Sequence, residues 1–123
     1  MSQYDKKSET NDELPRIIVR CIGKDEISEV EYIEYGIEEE GVPWTVQQGY
    51  EGDSTVVAHS AAADSPLKVG VSITPELRVV VHHQQLDSDA PVFDISKVTA
   101  ETARKLGSNS ARLAKGTPFK LIE

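Results

Sequence analysis

A single cysteine, a single tryptophan and two phenylalanines occur among 123 residues. Cys21 alone cannot close an internal disulfide, so the fold must stand on packing, and a reducing cytoplasm fits. No apolar run approaches the roughly 20 residues that a helix needs to cross a bilayer. The first residues also lack the apolar core of a secretory signal, so no membrane partner is expected. Phosphate loops are missing: no G-x-G-x-x-G follows the first strand, and no G-x-x-x-x-G-K-[ST] occurs anywhere. The G-x-S-x-G elbow of hydrolases is absent too. Positive charge is scarce in one region, since Asp25 to Asp53 contains many acids and no lysine or arginine. With a net charge of -8, the chain has no basic excess to displace counterions from nucleic-acid phosphates, which argues against nucleic acid as a partner.

What is present describes one globular domain. Hydrophobic residues make up 38% of the chain, enough for one sizeable core. Residues 1–15 are polar, with only Tyr4 and Leu14 to bury, and read as a mobile tail preceding a domain at 16–123. Arg16 to Ile22 is a β-rich run with apolar residues on both faces, as in a central strand covered on both sides. Ile27, Val30, Ile33 and Ile37 then recur at helical spacing, with Asp25 or Ser28 available as a cap. Trp44 to Gln48 forms a second strand, and Asp53 or Ser54 caps a helix over Thr55 to Ala63. Ala58, Ala61 and Ala62 let that helix lie close to a sheet.

Leu67 to Thr74 is the third strand, and Leu77 to His82 the fourth. The turn between them is too short for a crossover helix, so the fourth must return antiparallel. Pro91 to Ile95 is a fifth strand. A last helix runs from about Thr99 to Lys115, with Gly116 and Pro118 beyond it. Its small residues, Ala103, Gly107, Ala111 and Ala114, permit close approach to the sheet, while Arg104, Arg112 and Lys115 reach solvent or a partner. The order predicts a three-layer α/β/α domain whose mixed five-stranded sheet runs 2-1-3-4-5 with strand 4 antiparallel.

The side chains give weak support for catalysis. His82 and His83 are neighbours on a strand and point to opposite faces, so they cannot grip one ion together. His59 has no histidine or cysteine at helical spacing, and all three histidines read as surface or loop residues. Cys21 reads as a small core hydrophobe. The most informative stretch is Gly36-Ile37-Glu38-Glu39-Glu40-Gly41-Val42-Pro43-Trp44. Gly41 and Pro43 end the first helix near Glu40, which places three carboxylates at the negative end of its dipole. At about 100° per residue Glu39 faces outward, nearly opposite Ile37. A cation belongs there, either a metal ion or a partner's basic group, unless the cluster is an ordinary solvated face. Lys97, Arg104, Lys105, Arg112, Lys115 and Lys120 give the far end of the chain the opposite sign. The two surfaces either pair within the molecule or form a two-sided docking surface.

That stretch is one of four. The others are Ser65-Pro66-Leu67-Lys68-Val69-Gly70, then Val79-Val80-Val81-His82 with Ala90-Pro91-Val92-Phe93, and finally Asn109-Ser110-Ala111-Arg112-Leu113-Ala114-Lys115-Gly116-Thr117-Pro118-Phe119. In this order they resemble the small subunit of the diol/glycerol dehydratase reactivating factor. The resemblance implies a fold like that of the dehydratase medium subunit and a partner, the large ATPase subunit. It also implies a role in releasing damaged cobalamin from inactivated diol or glycerol dehydratase, by exchange of subunits on the large one. No catalysis and no cofactor of its own are implied. It does imply that Glu39 reaches a divalent ion, Mg²⁺ or Ca²⁺, held mainly by the large subunit. Glu38 and Glu40 are second choices, and Glu38, Glu40, Arg112 and Lys115 are candidate interface residues. Arg112 is expected to be structural or interfacial, not catalytic. The resemblance is compatible with association with a bacterial microcompartment. The alternative, the medium subunit of a cobalamin-dependent dehydratase, shares Gly-Ile-Glu-Glu-Glu-Gly. It carries an insertion before the Ala-Pro strand and continues past the last helix, features not expected of this chain.

Overall fold

The computed structural model describes residues 14–122, so nearly all of the expected tail lies outside the described residues. Strands and helices alternate: β1 (Ile17–Ile22), α1 (Val30–Glu39), β2 (Trp44–Tyr50), α2 (Ser54–Asp64), β3 (Val69–Ile73), β4 (Val79–His83), β5 (Phe93–Ile95) and α3 (Ala100–Lys115). The sheet runs 2-1-3-4-5 as expected. β1 pairs parallel with β2 and with β3, and β4 runs antiparallel to both β3 and β5. Period-two alternation divides the side chains between two faces. Ile17, Val19 and Cys21 join Val71, Ile73 and Val81 in one apolar core beneath α1 and α3. The opposite face turns Gly70, Ser72 and Val80 toward α2. A Cβ on Gly70 would stand 2.4 Å from the Ala58 carbonyl oxygen, so the small-residue helix does lie directly on the sheet.

Several boundaries differ from the sequence expectation, each for a local reason. β3 begins at Val69 instead of Leu67 because Lys68 adopts φ 67, outside any strand. β4 begins at Val79 instead of Leu77 for the same reason, with Leu77 at φ 68 closing the turn. The Leu77 amide donates to the Thr74 carbonyl at 2.8 Å, which makes the short reversal. β2 continues to Tyr50, past Gly49 at φ 81, with a register shift against β1. α1 starts at Val30 after a turn, and neither Asp25 nor Ser28 caps it, for the N-cap residue Glu29 makes no side-chain cap bond. Asp53 does cap α2, accepting from Thr55 and Val56.

Ala103 and Ala111 lie in the core with the sheet residues, but another small residue of α3 serves a different contact from the one expected. Gly107 meets α1, not the sheet: a Cβ there would be 2.0 Å from the Ile33 carbonyl oxygen. On the other side, a Cβ on Gly36 would be 1.9 Å from the Arg104 carbonyl oxygen. The two helices therefore touch backbone to backbone, closer than any side chain larger than hydrogen allows. This crossing sets the position of the acidic end of α1 against the basic face of α3.

Candidate functional site

Gly41, at φ 74, stops α1 so that Glu38, Glu39 and Glu40 crowd its last turn, and no basic residue of the helix itself offsets them. The compensating charge comes from α3 and the segment after it. Glu40 turns inward: it accepts from the Ser108 hydroxyl at 2.6 Å, from Arg112 Nε at 3.0 Å and from Lys115 Nζ at 3.0 Å. Lys115 also donates to the Glu40 carbonyl at 3.0 Å, so it neutralises both the side chain and the helix terminus. The Ser108 hydrogen bond, with the Lys115 and Arg112 bonds, brings the Glu40 carboxyl down to about 2 against the desolvation that opposes it. Its side chain is only 10% exposed.

Glu39 points outward as helix geometry requires, but it is not a bare carboxylate. Arg104 Nε and Nη2 both donate to its Oε2, and Lys120 Nζ stands 3.7 Å from its Oε1. The Arg104 hydrogen bond holds the Glu39 carboxyl below the usual glutamate range. Glu38 is exposed and lines a shallow hollow with Tyr35, Glu39 and Arg104.

At this helix end the chain supplies cations of its own. Arg104 and Lys115 reach solvent as expected and Arg112 is half-buried, and all three also close on Glu39 and Glu40. Of the two arrangements left open by the charge distribution, the molecule uses the internal pairing. Arg112 further donates to the Pro118 carbonyl at 3.0 Å, a structural engagement.

A larger cleft of about 370 Å³ opens beside this seam, between α1 and the edge strand β2. Glu26, Glu31, Glu34, Tyr35 and Trp44 line it, with the Trp44 indole donating to Glu34 at 2.9 Å. Among the described residues no group of three or more histidine, cysteine, aspartate or glutamate side chains is placed to hold a metal ion.

His82 corrects its expectation. It is fully buried under α2, its ring edge-on to His59 with centroids 4.6 Å apart. Its Nδ1 lies 3.0 Å from the His83 amide and 3.1 Å from the His83 carbonyl, and its Nε2 lies 3.2 Å from the Ser88 carbonyl. Burial, with Lys68 and His82 nearby, lowers the His83 pKa. Burial, then the Glu34 carboxylate, pushes the Cys21 thiol up to about 11, far from a reactive thiolate.

Two polar anchors escaped the sequence reading. Arg20 sits in β1 yet reaches Gln47 at 2.8 Å, Ser60 at 3.1 Å and Asp64 at 2.7 Å, fastening α2 to the sheet. Fully buried Asn109 pairs with the Lys120 backbone in both directions, at 2.9 and 2.6 Å, and so pins the segment after α3. A polar residue at the periodic position of a helix was the available signal for Asn109.

Comparison with known proteins identifies the family. Residues 14–120 match the family model described as dehydratase medium subunit. The propanediol dehydratase-reactivating factor small subunit of Salmonella typhimurium is 36% identical over 91% of this chain and 96% of its own length. The protein of the same description from Citrobacter freundii is 44% identical over 69% of this chain and 73% of its own. A solved structure of diol dehydratase-reactivating factor complexed with ADP and Mg²⁺ superposes with a TM-score of 0.79 at 36% identity, covering 87% of this chain and 98% of that one. The family model is described by the dehydratase subunit, whereas these relatives are subunits of reactivating factors, and they decide between the two readings. The chain belongs to the dehydratase medium subunit family, and within it to the small subunits of the diol dehydratase-reactivating factors.

Proposed function

We propose that this chain is the non-catalytic small subunit of a dehydratase-reactivating complex. It docks on a larger ATPase subunit, and the two release damaged cobalamin from inactivated diol or glycerol dehydratase. The observation that carries this reading is the likeness to reactivating-factor small subunits over 91% of the chain. The shared medium-subunit fold supplies a physical basis for exchange, because a chain of that shape competes with the dehydratase's own subunit for one seat on the large subunit. What this chain brings to the contact is the end of α1, an edge of paired acids and bases fixed by the crossing of α1 and α3.

Within that edge, Glu39 donates one carboxylate oxygen to a Mg²⁺ or Ca²⁺ ion at the interface. The donor is an outward carboxylate whose Oε2 accepts from Arg104 and whose Oε1 lies 3.7 Å from Lys120 Nζ, so an ion bound there would take the place of one of those cations. The donor set is incomplete on this chain, because hard divalent ions take six or more oxygens and no group of three acidic or other ligating side chains is placed to hold one among the described residues. The remaining ligands come from the large subunit. When bound, the ion would supply a charge bridge between the subunits.

The test is calorimetric association of this chain with the large subunit, with and without Mg²⁺. Glu39→Gln keeps the shape and removes the charge. It should lose about ten-fold or more of the Mg²⁺-dependent strengthening. Equal association and equal metal dependence for both forms would remove Glu39 from the metal site. Failure of the wild-type chain to associate in either condition would overturn the subunit assignment itself.

A further inference from the structure

We infer that Arg104 is a latch on Glu39: in the free chain its guanidinium occupies the carboxylate that the interface uses, and it moves aside on assembly. The inference rests on the role just proposed for Glu39. Both oxygens of that carboxylate face cations of the same chain, Oε2 toward Arg104 and Oε1 toward Lys120. A divalent ion bound to Oε2 would stand within a few ångströms of the guanidinium, a repulsive arrangement of like charges. The two cations are therefore alternatives at one site.

The neighbouring carboxylates show why Glu39 is the one that can exchange. Glu40 is held by three donors and shut in at 10% exposure, so it stays with the fold. The Arg104–Glu39 pair is open to water, with side chains 58% and 32% exposed, and a pair of that kind contributes little to stability. Releasing it leaves the core intact. Tyr35 and Glu38 line the same hollow as Arg104 and Glu39, which gives the displaced guanidinium an acidic neighbour one residue away.

Removing the latch should strengthen the response to metal. In the complex with the large subunit, Arg104→Gln is expected to enlarge the Mg²⁺-dependent gain in affinity by about two- to five-fold, the scale of one exposed ion pair. Lys105→Gln is the control, since Lys105 pairs with Glu101 on its own helix and does not touch Glu39. In the chain alone, ¹³C titration of the Glu39 carboxyl should show its ionisation rising toward the ordinary range in Arg104→Gln. An Arg104→Gln chain that loses metal dependence, as Glu39→Gln does, would make Arg104 a positioning residue and overturn the latch. An outcome identical to Lys105→Gln, or a Glu39 titration unmoved by the substitution, would also overturn it. If Glu39→Gln keeps full Mg²⁺ dependence, the metal reading falls and the latch falls with it. If Glu39→Gln loses that dependence while Arg104→Gln gains nothing, only the latch is wrong.

Discussion

Replacing Gly107 with alanine tests the feature on which that edge of paired acids and bases depends. The added Cβ would lie 2.0 Å from the Ile33 carbonyl oxygen and 2.8 Å from its carbonyl carbon. Both are backbone atoms of a helix, so no flexible side chain can swing away, and the helices must part by about 1 Å. A gap of that size forfeits roughly a quarter to a half of the dispersion attraction along the seam. Overpacking of this kind costs about 1–3 kcal/mol, and contact between two backbones argues for the upper end. Alanine returns about 1 kcal/mol in helix propensity over glycine. The net expectation is destabilisation by about 2 kcal/mol. With a urea dependence of about 2 kcal/mol per molar, the unfolding midpoint should fall by about 1 M. Glu101→Ala, on the exposed start of the same helix, should change stability by about 0.5 kcal/mol or less. Parting the helices also draws Ser108 away from Glu40, so the Glu40 carboxyl should titrate closer to its ordinary value in Gly107→Ala. A midpoint that holds or rises would mean that propensity outweighs the clash and that the helices do not meet backbone to backbone.

Two further outcomes follow from the same seam. The Glu40 carboxyl is depressed in the folded chain from 4.5 to about 2, so its stabilisation is complete above pH 4.5 and disappears as pH falls toward 2. Urea unfolding across that window should therefore show a steeper acid loss for wild type than for Glu40→Gln; parallel curves would mean that the carboxylate is not held by Ser108, Arg112 and Lys115. Asn109→Ala strips a buried two-way clamp from the Lys120 backbone and should cost about 1–3 kcal/mol. Hydrogen exchange at the Lys120 amide should accelerate with it, and unchanged protection there would show that other contacts hold the segment.

Local chemistry made much of this protein legible in its sequence. The spacing of Ile33 and Ile37 marked the buried face of α1, and Gly41 marked its end. Apolar residues on both faces of Ile17–Ile22 announced a central strand, and the short turn at Pro75 forced β4 to reverse. Glu39 faced outward for the same reason, since rotation along a helix depends only on position. What surrounds the acidic turn was not legible. Glu40 meets Arg112 across 72 residues and Glu39 meets Arg104 across 65, contacts created by the Gly36–Gly107 crossing. Sequence shows that a cation belongs at a helix end; only packing decides whose cation it is. His82 and Arg20 were obscured in the same way, because α2 folds over one and reaches down to the other. Lys68 and Leu77 shortened two strands by adopting left-handed conformations that their side chains do not favour, held there by the hydrogen bonds of the surrounding turns. Periodicity and turn residues are properties of neighbouring positions and survive in any context, whereas charge pairing, burial and strained turns belong to the assembled layers and exist only once the helices have met.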